Sequence, residues 1–255
     1  MKHLASIAAV LAALSLSAAT APRSAHIVFM IGEDEYHTWE TLPDFAKQDL
    51  VPHGYRVTTI QQDSADKNNF PGLVDALKTA DLLFVSVRRR TPPADQLNAI
   101  RAYLSAGKPL VGIRTACHAF ALRPSDPPAE PRHAVWQTFD PEVLGGHYTN
   151  HHPDGPRTTI TVASGAQSHQ ILKGIALSSL VGNGSLYKVS PLEPGTTTLL
   201  MGAIPDQPAE PVAWTHTYGQ KHARVFFTSL GHPNDFTNPE FRRLLVNGIE
   251  WALGR

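Results

Sequence analysis

The chain has 255 residues, with 22 Lys plus Arg against 22 Asp plus Glu and a formal net charge of zero. That balance argues against nucleic acid or an anionic membrane surface as the main partner. The single cysteine, Cys117, excludes an intramolecular disulfide, so packing must supply the stability; thirteen histidines and twenty-one prolines are the oddities of composition.

The N-terminus reads as a processing segment. Lys2 and His3 give a basic start, Leu4 to Leu16 an apolar run too short to span a bilayer, and Ser17-Ala18-Ala19 a small-residue cleavage site. No cysteine follows the run, which argues against a lipoprotein anchor. A buried first strand is the alternative. Residues 1–19 are expected to be a signal peptide, residues 20–255 one domain, and the product a periplasmic or secreted protein without a membrane span.

His26–Ile31 is an apolar, β-rich run ended by Gly32, and Thr38–Leu50 reads as a helix with Pro43 in its first turn. Tyr55–Ile60 is a second strand and Leu73–Lys78 a short helix. Asp81–Val87 shows no polar alternation, which suits a parallel strand covered on both faces. Pro93–Leu104 is a helix with Gly107 past its end, and Pro109–Arg114 a fourth strand. This alternation predicts an α/β fold, a doubly wound, mostly parallel sheet flanked by helices in a three-layer sandwich. Residues 121–158 are rich in Pro and Gly and lack periodicity, and a loop of that length is usually functional. Strands resume at Thr159–Val162, Thr197–Met201, Val212–His216 and Val225–Ser229. The closing helix, Pro239–Leu253, puts Phe241, Leu244, Leu245, Ile249 and Ala252 on one face.

Ligands of such folds bind at the carboxyl ends of the strands, and the chemistry-bearing residues collect there. The fourth strand runs into Arg114-Thr115-Ala116-Cys117-His118, which has the form of a nucleophile elbow. Near a helix N-terminus such a turn would lower the Cys117 thiol pKa and offer N–H groups to an oxyanion. Free cysteine is more often a small buried hydrophobe, and His118 is the stronger site candidate. After the first strand, Glu33, Tyr36 and His37 could serve acid–base chemistry or bind sugar hydroxyls; capping carboxylates on a solvated helix start are the plainer reading. The run Arg88-Arg89-Arg90 has the look of surface charge, but Arg88 or Arg90 could bind a carboxylate, phosphate or polyol. His147, His151 and His152 lie in a Gly-rich loop. With His118 and His232, the pair His147 and His151 makes a candidate ligand set for a divalent transition metal, although no His-Glu-x-x-His motif or cysteine pair is present. His232 follows the last strand and is a general-base candidate.

Several stretches together resemble the trehalose-utilisation, ThuA-like family. They are Gly107-Lys108-Pro109-Leu110 through His118, Leu144-Gly145-Gly146-His147-Tyr148-Thr149-Asn150-His151, Ser168 through Ile175, Leu186-Tyr187-Lys188-Val189, Pro211 through Trp214, Arg224 through His232, and Gly248 through Ala252. They occur in family order across nearly the whole mature chain. The resemblance implies a class I glutamine amidotransferase-like fold, with His118, His151 and His232 at the family's histidine positions. The family often carries Asp-Glu before the tyrosine matched by Tyr187; Gly184 and Ser185 stand there in this chain. It also implies a small-molecule carbohydrate partner, such as an oxidised (keto) disaccharide or glycoside.

The leading expectation is therefore acid–base chemistry on a sugar derivative by Glu33, His37, His118 and His232, with Tyr36, Arg88, Arg114, His151 and Tyr187 binding substrate. A Cys117-dependent hydrolase with His232 as base, and a non-catalytic carbohydrate-binding module using Trp39, Trp136 and Tyr148 to stack on sugar, are the alternatives.

Overall fold

The computed structural model describes residues 24–255, so the signal segment read at residues 1–19 lies outside the described residues. The strands are β1 (His26–Gly32), β2 (Arg56–Gln61), β3 (Leu82–Val87), β4 (Leu110–Ile113), β5 (Asn150–His151), β6 (Thr158–Val162), β7 (Val181–Gly182), β8 (Tyr187–Lys188), β9 (Thr197–Ala203), β10 (Glu210–Tyr218) and β11 (Ala223–Thr228). The α-helices are α1 (Thr38–Phe45), α2 (Leu73–Thr79), α3 (Ala94–Ser105) and α4 (Pro239–Leu253). The helix expected over Thr38–Leu50 is α1 continued by a π turn at Ala46–Leu50.

A nine-stranded sheet runs in the order β2-β1-β3-β4-β11-β10-β9-β6-β7. The pairs β2–β1, β1–β3, β3–β4 and β4–β11 are parallel. Strands β10, β9, β6 and β7 extend the sheet beyond β11 as antiparallel neighbours. This is the expected doubly wound α/β sheet. Parallel strands need crossovers, and α1, α2 and α3 supply them between β1, β2, β3 and β4.

Alternation along β1 divides the core into two layers, because successive side chains leave opposite faces of a strand. Ile27, Phe29 and Ile31 point to the layer of Leu42 and Phe45 from α1 and Phe241, Leu244 and Leu245 from α4. Val28 and Met30 point to the other layer, with Leu73 and Leu77 from α2 and Leu97, Ile100 and Leu104 from α3. The closing helix forms as the sequence predicts: Asn238 caps it by accepting from the Glu240 N–H, and Gly254 ends it in the left-handed region.

The aperiodic stretch 121–158 is pinned to the second layer at its middle. Trp136, Phe139, Val143 and Leu144 are buried there, and Trp214 Nε1 donates to the Leu144 carbonyl at 2.7 Å. Beyond that anchor, β5 pairs with β8 in a two-residue antiparallel ribbon that sets His151 opposite Tyr187. The order in which strands are added reverses at β1, which has β2 on one side and β3 on the other, so the carboxyl ends of β1 and β3 border a topological switch point. No helix among the described residues is long and apolar enough to cross a membrane.

Candidate functional site

A cavity of about 540 Å³ opens at that strand end. The β1 exit contributes Glu35 and Tyr36, the β3 exit Arg88 and Arg89, and the β4 turn His118. Tyr148, His151, Ser185 and Tyr187 come from the β5–β8 ribbon and its approaches, and Arg123 from the long loop.

Two backbone hydrogen bonds fasten the β3 exit to the β4 turn: Arg89 N–H donates to the His118 carbonyl at 3.0 Å and Arg90 N–H to that of Ala119 at 2.7 Å. Arg89 takes a left-handed φ of 49° to do so, and Arg114 one of 45°, a conformation that is uncommon outside glycine. The bent residue of the turn is therefore Arg114, three positions before Cys117.

Arg114 is buried beneath the cavity. Its Nη1 donates to the carbonyls of Ser185 (3.1 Å) and Ser229 (2.9 Å), and its Nη2 to the hydroxyls of Tyr36 (3.2 Å) and Ser185 (3.1 Å). The guanidinium lies between the rings of Tyr36 and Tyr187, 4.6 and 4.5 Å from their centroids. Burial opposes its charge, but Tyr187, Tyr36 and Asp235 outweigh burial and raise its pKa. It makes no ion pair with a carboxylate among the described residues.

His118 is 5% exposed. Its ring centroid lies 4.6 Å from that of Tyr148 and 6.2 Å from that of Tyr187, and its Nδ1 is 3.2 Å from Cys117 Sγ. Burial, and then the guanidiniums of Arg89, Arg88, Arg114 and Arg123, hold it well below the usual imidazole range. At neutral pH it is an uncharged base in a positive field.

The model of the ThuA family, described as trehalose utilisation, matches residues 27–252. The chain belongs to the ThuA family. Among solved structures it is similar to a ThuA-like protein from Bacteroides uniformis, at 19% identity and a TM-score of 0.64, covering 92% of this chain and 93% of that one. A ThuA-like protein from Parabacteroides merdae is similar at 16% identity and a TM-score of 0.60, with 90% of each chain covered. A β-galactosidase from Rahnella sp. R3 shares the fold at 14% identity and a TM-score of 0.56, over 91% of this chain and 31% of that one. No curated protein matches the chain.

Within this ThuA chain, the residues singled out from sequence divide sharply. Tyr36, Arg88, His118, His151 and Tyr187 line the cavity. Arg114 lies behind its tyrosines. His232 is next door, its ring 6.3 Å from that of Tyr36, and burial lowers its pKa. Its Nδ1 accepts from Asn234 N–H in a capping box with Asp235, so the imidazole already caps the turn after β11.

Glu33 and His37 do not join the cavity. Glu33 is buried, and its carboxylate accepts from the N–H groups of Glu35, Tyr36 and Thr38 and from the Thr38 hydroxyl. A carboxylate so saturated shapes the start of α1 and has no capacity left for proton transfer. His37 stacks on Trp39 with 55% of its side chain exposed, 3.9 Å from Glu40.

The surroundings of Cys117 do not favour a nucleophile either. Cys117 is 3% exposed, and burial followed by Asp140 pushes its pKa well above the usual thiol value. The short 3₁₀ turn does not offset that desolvation. Nor do the four candidate ligand histidines converge: among the described residues no three His, Cys, Asp or Glu side chains come together as a metal set. His147 is exposed and opens to a neighbouring cavity, and His151 points Nδ1 at the His152 carbonyl, 2.8 Å away. The residues present do not fit a metal at this site.

Asp140 and the middle arginine of the 88–90 run carry no site signal in the sequence, whereas Tyr148 is one of the aromatics expected to stack on sugar. Arg88 pairs with Glu35 at 2.7 Å, and Arg90 with Asp34 at 2.7 Å. The side chain of Arg89, between them, has a single hydrogen bond among the described residues, from Nη1 to the Ala121 carbonyl at 3.2 Å. Asp140 is buried with Oδ2 accepting from Tyr148 N–H at 2.6 Å and Oδ1 unpartnered; burial raises its pKa to about 7. The Pro that follows Asp140 signals a turn, but nothing in the local sequence marks the carboxyl as buried.

Proposed function

We propose that this ThuA protein is an exported enzyme acting on a small carbohydrate derivative, a keto-disaccharide or keto-glycoside, with His118 as general base. The observation that carries the reading is an uncharged imidazole on the cavity wall, its Nδ1 facing Cys117 and its Nε2 without a hydrogen-bond partner among the described residues. In the step we envisage, Nε2 takes the proton from the carbon beside the keto group. The electron pair moves onto the keto oxygen, where the positive field of the surrounding guanidiniums favours the charge. The pair then returns to expel a leaving group at the next carbon, or the proton is returned at a new position, giving elimination or isomerisation. Tyr148, half-buried on the cavity wall, offers its ring to a sugar, with the buried Tyr187 packed behind it. The family's trehalose-utilisation description supports a sugar substrate, and the leader read at residues 1–19 supports action outside the cytoplasm.

The test is incubation with keto-glycosides in deuterated water. The expected result is deuterium at the carbon beside the keto group, or an elimination product, with both lost in His118→Ala. Tight binding without exchange or turnover across the panel would favour a binding module, and full exchange by His118→Ala would overturn the assignment of the base.

A further inference from the structure

The charges around the cavity do not balance. On its wall, Arg88 is matched by Glu35 at 2.7 Å, and Arg123 by Asp126 at 3.3 Å. Arg89 makes no ion pair with a carboxylate among the described residues; Asp126, already paired with Arg123, acts on it only at longer range. Beneath the tyrosines Arg114 makes none either. Asp154 is the one further acidic side chain that lines the cavity. A half-buried guanidinium with one hydrogen bond leaves most of its five donors unused, and it loses solvation without regaining it from a partner.

Position adds a second argument. Arg89 and Arg123 line three adjoining cavities, of about 540, 340 and 260 Å³, and stand where these meet. His118 and Tyr148 border two of the three. A sugar ring laid against Tyr148 within reach of His118 would direct a substituent toward the Arg89 fork. The backbone bond from Arg89 to the His118 carbonyl keeps the two groups in fixed relation.

We infer that the substrate is an anionic sugar derivative, whose carboxylate or phosphate is bound by the Arg89 guanidinium with Arg123 beside it. Planar, paired donors suit either oxyanion, and a charge-assisted contact of this kind is roughly twice as strong as a neutral hydrogen bond. The inference rests on reading this cavity as the substrate site, but its test reads binding, whereas that of the base reads turnover.

The experiment is calorimetric titration of the full chain with a methyl glucoside, the corresponding methyl glucuronide and glucose 6-phosphate. The uronide or the phosphate should bind at least about tenfold more tightly than the neutral glucoside, and which of them does so identifies the oxyanion. Arg89→Gln should reduce that preference to about twofold or less. Should Arg89→Gln fold poorly, the wild-type preference read against salt replaces it, and it should shrink steeply toward about 0.5 M ionic strength. His118→Ala should keep the anion preference whatever happens to turnover. Equal or tighter binding of the neutral glucoside, or a preference unchanged by both Arg89→Gln and salt, would overturn the proposal. Turnover of neutral keto-glycosides without anion preference would overturn it and leave His118 as the base. Anion binding without turnover would do the reverse.

Discussion

A Cβ placed on Gly184 would lie 2.5 Å from Nη2 of Arg114, so the guanidinium occupies the space that any other residue at 184 would need. Arg114 cannot easily yield, because its hydrogen bonds to Ser185, Ser229 and Tyr36 and two tyrosine faces fix it. Gly184→Ala should therefore destabilise the fold by about 1–3 kcal/mol, as overpacking does. Denaturant unfolding would measure this. A neutral result would mean that Arg114 is free to swing, contrary to its burial.

His118 should show its depressed pKa directly. Burial and four guanidiniums lower it from the usual 6.5, so the folded state resists a proton that the unfolded chain accepts. Its contribution to stability is complete above about pH 6.5 and is lost as pH falls through the folded-state pKa. Imidazole resonances followed by NMR should leave His118 untitrated between about pH 7 and 6, where an exposed histidine is half converted. The acid limb of any activity should likewise lie well below 6.5. A midpoint near 6.5 would show that solvent or a counter-ion reaches the ring.

Asp140 should act in the opposite sense. Its carboxyl is raised from 3.8 to about 7 by burial, so the folded state holds the proton more tightly than the unfolded chain. Its contribution is present at low pH and is lost as pH rises from about 4 to 7. Asp140→Asn removes that titration and retains an acceptor for Tyr148 N–H. Between pH 4 and 8 the variant should gain on wild type by on the order of 3–4 kcal/mol, an upper bound set by the full shift. Parallel urea melts at the two pH values decide it; equal pH dependence in both proteins would mean that Asp140 ionises normally.

The thiol should be inert. Cys117 is buried and its pKa is raised, so the native protein should alkylate at least about 100-fold more slowly at pH 8 than the urea-unfolded chain. Rapid and selective native alkylation would restore the nucleophile reading.

The periodic parts of this fold were legible from sequence because burial writes a pattern. Continuous apolar runs marked β1 and β3, and the spacing of Phe241, Leu244, Leu245 and Ile249 marked α4 with its bounds intact. The turn carrying His118 was legible because ligands of α/β sheets collect at strand ends. The β5–β8 ribbon was not, since two residues per strand carry no period; Tyr187 entered only through its resemblance to a family position. The run Arg88-Arg89-Arg90 shows the limit most clearly. Its composition cannot say which arginine finds a carboxylate, and that depended on Asp34 and Glu35 reaching across from the β1 exit. For the same reason Glu33 looked catalytic beside its acidic neighbours, when the path of the backbone alone decides where its oxygens go.

Glu33 therefore separates a structural carboxylate from a chemical one. Its two oxygens accept from three backbone N–H groups and one hydroxyl, at 2.5–2.8 Å. Glu33→Gln replaces one oxygen with an amide donor that faces other donors, and leaves buried N–H groups without a partner. The expected cost is about 2–4 kcal/mol of stability, because a charged acceptor is lost and the orphaned donors remain desolvated. Because the loop 33–38 carries Tyr36 to Arg114, substrate binding should weaken in step with the lost stability. Urea unfolding and ligand titration on the same preparation check this. A variant of full stability whose turnover collapses would instead return Glu33 to the reacting groups.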